Sequence, residues 1–118
     1  MKRDALAMKV RTKDFALRVL RLYRSLPRTE EARILGKQLL RSGTSIGANY
    51  RAACRGRSRA EFVAKLGIVL EEADETVFWL ELFQDGNIFP AEKLHSLVQE
   101  ANELVSIFVS SVRTAREN

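Results

Sequence analysis

The side chains that most often perform catalysis or bind metals are scarce in this sequence. It contains one histidine, His95, and one cysteine, Cys54. A zinc site needs several such ligands, and a di-metal helix bundle needs the Glu-x-x-His motif on two helices. Residues 92–95 have that spacing, but the sequence has no second copy of the motif. We therefore expect no metal, no other cofactor and no catalytic histidine.

Carboxylates and a thiol are the remaining candidates for chemistry. The acidic residues of segment 71–75 point in several directions around a helix, so we interpret them as a solvated face and not as an acid–base pair. Arg51, Arg55 and Arg57 lie near Cys54 and could lower the pKa of its thiol. The position of Cys54 at the end of an apolar stripe favours a packing role instead. No phosphate-binding loop is present, and we predict that the protein is not an enzyme.

The charges are distributed unevenly along the chain, whose net charge is +5. Residues 1–60 contain 16 Lys/Arg and 4 Asp/Glu, whereas residues 61–118 contain 4 and 11, giving balances of +12 and −7. This asymmetry favours a polyanionic partner or self-association through opposite faces. A third interpretation is that acidic helices neutralise the basic helices within one domain.

Arginine dominates the basic half, and its planar fork of donors suits phosphate groups. Tyr50 is the only aromatic residue close to the main cluster, so we expect contact with phosphates and not base stacking. Arg11 and Arg24 lie beside this set on the first helix. The predicted nucleic-acid-binding residues are Arg18, Arg21, Arg33, Lys37, Arg41, Arg51, Arg55, Arg57 and Arg59.

Hydrophobic periodicity predicts four helices at about 13–26, 30–54, 59–84 and 90–114, and residues 1–11 either extend the first helix or fray. Thr12 and Thr29 are predicted N-caps of the first two helices, and Ser58 with Glu61 forms a capping box for the third. The connections are short, as expected for antiparallel neighbours. The fold class is therefore all-α, as an antiparallel up-down-up-down four-helix bundle, and residues 1–118 form one domain.

Two features of these helices predict close contacts beyond an ordinary core. Gly36, Gly43 and Gly47 align on the second helix, which indicates close approach of another backbone or, alternatively, a helix break near Gly43. The third helix carries apolar residues away from its core face, favouring a subunit interface over a broad core. The predicted interface residues are Ile68, Trp79, Leu82 and Phe83.

The segment Arg41-Ser42-Gly43-Thr44-Ser45-Ile46-Gly47-Ala48-Asn49-Tyr50-Arg51-Ala52-Ala53 is the most distinctive in the sequence. Together with Ser58-x-x-Glu61-Phe62 and Glu71-Glu72-Ala73-Asp74-Glu75-Thr76, it resembles the bacterial four-helix-bundle family encoded in intervening sequences of 23S ribosomal RNA genes. The resemblance covers about residues 13 to 112. The segment Ala52-Ala53-Cys54-Arg55-Gly56-Arg57 departs from the family's common pattern.

This resemblance implies an antiparallel bundle that assembles as a ring-like homopentamer. It also implies kinship with the accessory variability determinant proteins of diversity-generating retroelements, which bind nucleic acid and a reverse transcriptase. The lone cysteine, and the lack of a leader-like or membrane-spanning apolar run, favour the cytoplasm and no membrane partner. We thus expect an oligomeric, RNA-binding accessory protein or, alternatively, a protein-interaction scaffold without nucleic acid.

Overall fold

The computed structural model describes the backbone of residues 2–117 and the side chains of residues 4–117. Within these residues the chain forms four α-helices and no strand: α1 (Lys2–Ser25), α2 (Glu30–Cys54), α3 (Arg59–Asp85) and α4 (Ala91–Glu117). Each helix packs on the next one in sequence, and α1 touches α4 only sparsely. The predicted all-α, up-down-up-down bundle is confirmed. Met1 and Asn118, the ends of the predicted domain, lie outside the described residues.

The starts of α2 and α3 are fixed by their predicted caps. The Thr29 side chain accepts a hydrogen bond from the backbone N–H of Ala32 at 3.2 Å. Ser58 accepts one from the N–H of Glu61 at 3.1 Å, and the Glu61 carboxylate in turn accepts from the N–H of Arg57. These side chains satisfy backbone donors that a helix leaves free in its first turn.

The start of α1 differs from the prediction. The helix begins at Lys2 and not near residue 13, so Thr12 is not an N-cap. Thr12 is fully buried, and its hydroxyl lies 2.9 Å from the carbonyl oxygen of Met8 one turn earlier. That bond satisfies the hydroxyl within the helix, which is why a residue typical of helix ends is tolerated here.

The aligned glycines of α2 allow α1 to approach closely. A Cβ at Gly43 would lie 2.9 Å from a methyl carbon of Val19, and one at Gly47 would lie 3.4 Å from backbone atoms of Thr12. Because α2 is continuous through Gly43, the alternative of a helix break was wrong. The glycines serve packing within the chain, so they no longer support contact with a second subunit.

The core runs along the centre of the bundle and receives side chains from all four helices. Aromatic and aliphatic groups fill it, as expected for helices whose apolar stripes face one axis. The largest fully buried apolar residues are Phe15, Val19, Leu39, Ile46, Leu66, Val69, Leu80, Phe83, Leu94, Leu104 and Phe108.

None of the described helices is long and apolar enough to cross a bilayer.

Candidate nucleic-acid interface

The α2–α3 turn gathers four of the predicted arginines at one end of the bundle. Arg51, Arg55 and Arg57 are exposed around this turn. The guanidinium of Arg59 donates to the carbonyl oxygen of Ala115 at 3.0 and 3.3 Å, which ties α3 to the C-terminus of α4. A helix leaves its last carbonyl groups free and carries partial negative charge there, so an arginine is a suitable partner.

Arg116 joins this turn because of that link, and sequence reasoning missed it. A shallow groove at this end is lined by Arg59, Arg116 and the small apolar residues between them. Residues 61–118 have a net negative charge, so a comparison of the two halves of the sequence does not draw attention to Arg116. Its place in the last turn of the last helix was the available signal, because an up-down bundle brings that turn beside the α2–α3 turn. We define the turn cluster as Arg51, Arg55, Arg57, Arg59 and Arg116.

A second group of cations occupies the opposite end of α2. Arg33 and Lys37 are exposed there, as is Arg21 on the neighbouring α1. Arg33 also lines a shallow cleft at the α1–α2 turn together with Arg24 and Arg28. Arg28 was not predicted, because it lies in a loop outside the helical stripes. We define the proximal cluster as Arg21, Arg24, Arg28, Arg33 and Lys37.

The two clusters are separated along α2 by a stretch with little free positive charge. From Lys37 to Arg51 the helix rises about 21 Å, at 1.5 Å per residue. Arg41 is the only cation in that interval. Two carboxylates of α3 already bind it: Glu72 at 3.2 Å, and Glu75 in a closer pair.

Arg41 therefore lies in the α2–α3 seam and not on a free basic surface. The hydrogen bond that the Arg41 guanidinium donates to the Glu75 carboxylate is the main cause that raises the pKa of Arg41. The pKa of Glu75 is lowered, first by the indole N–H of Trp79 at 3.0 Å and then by Arg41. Arg41 remains a predicted phosphate-binding residue, but its charge is already matched within the chain, so it belongs to neither cluster.

The α1–α4 seam engages two further arginines. Arg11 forms ion pairs with Glu100 at 2.7 Å and Glu103 at 2.8 Å, which raise its pKa further above the ordinary range. Arg18 is half-buried and donates to the hydroxyl of Ser96 at 2.9 Å. Carboxylates of the same chain thus neutralise the charges of Arg11 and Arg41. The exposed arginines of the two clusters form no salt bridge among residues 4–117.

The position of Tyr50 determines whether its ring could stack on a nucleic-acid base beside the turn cluster. Its side chain is buried, and its ring packs at 5.6 Å from that of Phe108 in a tilted arrangement. Burial is also the main cause that raises the pKa of its phenol. A ring held in this way cannot stack on a base, so Tyr50 does not provide a stacking platform for the turn cluster.

The residues predicted to form a subunit interface on α3 differ in their exposure. Ile68 and Leu82 are exposed, and Trp79 is half-buried. Phe83, however, is 0% exposed and belongs to the core, so assigning it to an interface was wrong. Phe78 takes its place on the surface, with its ring 5.1 Å from that of Trp79 in an edge-to-face contact. Apolar residues surround α3 on most sides, so periodicity alone could not choose between Phe78 and Phe83.

The residues considered for chemistry are dispersed. His95 is exposed on α4, Cys54 is half-buried at the end of α2, and Glu71 and Asp74 point to solvent away from Glu72 and Glu75. Among the described residues, no three His, Cys, Asp or Glu side chains converge as a metal site would require.

Comparison with known proteins identifies the family of this chain. No curated protein matches it. A crystal structure of a protein of unknown function from the S23 ribosomal protein family, from Bacteroides thetaiotaomicron VPI-5482, is 38% identical and superposes with a TM-score of 0.85. The similarity covers 92% of this chain and 97% of the other. The family model described as 23S rRNA-intervening sequence protein matches residues 4–110. The chain therefore belongs to the 23S rRNA-intervening sequence protein family.

Proposed function

We propose that this protein is a non-enzymatic, oligomeric accessory protein that binds nucleic acid, RNA in particular, through its arginine-rich surface. The observation that carries the proposal is the pair of basic clusters at the two ends of α2. Each contains several exposed cations that no carboxylate of the described chain neutralises. Unpaired cations of this density release counterions from a polyanion when they contact its phosphates.

The class of nucleic acid follows from what the clusters contain. Proteins that hold flexible single strands use exposed aromatic rings as stacking platforms. Tyr50, which precedes Arg51 in the sequence, is buried. Guanidinium groups bind phosphate oxygens through paired N–H donors and need no access to base edges. The proposal is therefore recognition of structured, base-paired RNA by backbone shape and charge.

Fluorescence anisotropy with a labelled RNA hairpin at several salt concentrations tests this proposal. The charge reversal Arg51→Glu/Arg55→Glu should weaken binding at low salt by at least about 10-fold and reduce the slope of log K against log salt by about 1 for each phosphate that the variant no longer binds. Both residues are exposed, so helical content should not change. A competing single strand of equal length shows whether base pairing matters.

Lys93→Glu is the matched control for Arg55→Glu, since each single change alters the net charge by the same amount. Lys93 is exposed near the start of α4, at the opposite end of the bundle from Arg55. Binding through the turn cluster predicts that only Arg55→Glu weakens the complex. Equal losses would mean that net charge alone governs binding, and no binding of the wild type at low salt would refute the proposal.

The alternative function is a protein-interaction scaffold that does not bind nucleic acid. The ion pairs of Arg11 with α4 and of Arg41 with α3 join basic and acidic helices within one chain, and this alternative extends the same kind of pairing to contacts between subunits. Under this alternative, high salt dissociates the assembly and hairpin RNA does not bind at any salt concentration.

The remaining parts of the proposal rest on the family resemblance. They are a homopentameric assembly, a cytoplasmic location and association with a nucleic-acid enzyme such as a reverse transcriptase. Light scattering measures the first directly: five copies of the 13.4 kDa chain are distinguishable from one. Co-purification from the native host identifies an associated enzyme or RNA.

A further inference from the structure

The outward side of α1 carries an apolar stripe that sequence reasoning did not identify. Leu6, Val10 and Leu17 are 65%, 53% and 38% exposed. Their spacing of four and seven residues places them on one side of the helix. Because the buried side of α1 faces the core through Phe15 and Val19, these three side chains contribute little to folding of a single chain. We call them the α1 stripe.

The outward side of α3 carries a second apolar stripe of similar length. Ile68, Phe78 and Leu82 are 38%, 54% and 36% exposed. From the rise of 1.5 Å per residue, this stripe extends over about 21 Å and the α1 stripe over about 16 Å. We call these residues the α3 stripe.

The charges that flank the two stripes have opposite signs. Leu17 lies among cations one or two turns away, whereas Phe78 lies among acids at the corresponding spacings. All of these charged residues are exposed, and none takes part in a salt bridge within residues 4–117. The cations are Lys13, Arg21 and Arg24, with Asp14 as the one acid beside them, and the acids around Phe78 are Glu71, Asp74, Glu81 and Asp85.

The bundle prevents these complementary stripes from meeting within one chain. Helices α1 and α3 occupy diagonal corners, and their backbones do not approach each other closely. Their outward sides consequently face away from each other. Only a second molecule can bring an α1 stripe against an α3 stripe.

We propose that the α1 stripe of one copy docks on the α3 stripe of the next copy. Pairing two identical stripes would oppose cations with cations or acids with acids, which is unfavourable. The contact is therefore head-to-tail. A row of copies then has an unoccupied α1 stripe at one end and an unoccupied α3 stripe at the other, until the row closes into a ring. This inference rests on the proposed homo-oligomer and specifies the two surfaces that form it.

Mixing two variants tests the head-to-tail contact by light scattering. Val10→Gln/Leu17→Gln replaces two of the three residues of the α1 stripe. Phe78→Gln/Leu82→Gln replaces two of the three residues of the α3 stripe. The changed residues are exposed and glutamine suits helices, so circular dichroism should show unchanged folding. Each variant alone should have the monomer mass of 13.4 kDa, and an equimolar mixture should form a dimer that grows no further. The control Ile34→Gln/Val109→Gln, which removes exposed aliphatic groups outside both stripes, should assemble like the wild type.

The outcomes separate this inference from the proposed function. A monomeric wild type would overturn both the homo-oligomer and the inference. An assembled wild type whose stripe variants assemble equally well would overturn the inference alone. Variants that are monomeric both alone and when mixed would exclude the α1–α3 pairing, and a variant that dimerises with itself would indicate like-with-like contact. Anisotropy with hairpin RNA on the same samples reports nucleic-acid binding independently.

Discussion

Gly43→Ala tests how closely α1 and α2 pack, because it adds one methyl group at their contact. The new Cβ would lie 2.9 and 3.0 Å from the two methyl carbons of Val19. Val19 is fully buried, and a β-branched side chain in a helix has one strongly preferred rotamer. The methyl group therefore cannot be accommodated without a shift of α1.

Two opposing effects determine the size of the change. Replacing a helical glycine with alanine stabilises a helix by about 1 kcal/mol, whereas overpacking a tight core costs about 1–3 kcal/mol. We expect Gly43→Ala to lower the free energy of unfolding by about 1 kcal/mol as the balance of these terms. Gly67 provides the control, since a Cβ there meets no atom within 4 Å. Gly67→Ala should raise the free energy of unfolding by up to about 1 kcal/mol.

Urea denaturation at one fixed protein concentration, followed by circular dichroism, measures both variants. The expected separation between them is about 2 kcal/mol, which corresponds to roughly 10 °C in Tm for a domain of this size. If Gly43→Ala is stabilised as much as Gly67→Ala, then α1 does not approach α2 as described. Adding Val19→Ala to Gly43→Ala should recover part of the loss caused by crowding, as a double-mutant cycle would show.

Two further predictions concern the α2–α3 seam. Arg41→Ala should destabilise the fold by about 1 kcal/mol in urea denaturation, at the upper end for partly exposed ion pairs. The control Arg33→Ala should change the free energy of unfolding by less than about 0.5 kcal/mol. Equal effects would contradict the assigned ion pairs of Arg41. Because the pKa of Glu75 is lowered in the folded state, its charge stabilises the fold above the ordinary carboxyl pKa, and that contribution is lost as pH falls through the lowered value. Trp79→Phe removes the indole donor, so the pKa of Glu75 should rise and the acid-unfolding midpoint should move to higher pH; an unchanged midpoint in a circular dichroism titration would refute this account.

Local signals were sufficient for most of the fold. The caps at Thr29 and Ser58 are short-range motifs that depend on a few neighbouring residues, and both lie where they were predicted. The α2 and α3 boundaries followed from them to within one residue. Thr12 shows the limit of such signals, because a threonine hydroxyl can bond either to the first turn of a new helix or to a preceding carbonyl of the same helix.

The surfaces were harder to predict because they depend on the register between helices. Nothing in the local sequence around Arg41 indicates that Glu72 and Glu75 bind it, since they lie on another helix. Likewise, Arg116 reaches the turn cluster only through the antiparallel return of α4. Phe83 was assigned to the interface and Phe78 was not considered, because α3 has apolar residues on most sides and the neighbouring helices determine which side becomes the core.

The order in which the helices pack has a consequence for folding kinetics. Each close contact joins helices that are consecutive in sequence, while the sparse α1–α4 contact joins the two ends of the chain. Local contacts give a low contact order, and helical proteins of this kind fold in about microseconds to milliseconds. The chain can therefore form three helix hairpins in succession before it closes the long loop between α1 and α4. We expect the ion pairs of Arg11 with Glu100 and Glu103 to form in the last step of folding, so their loss should speed unfolding more than it slows folding.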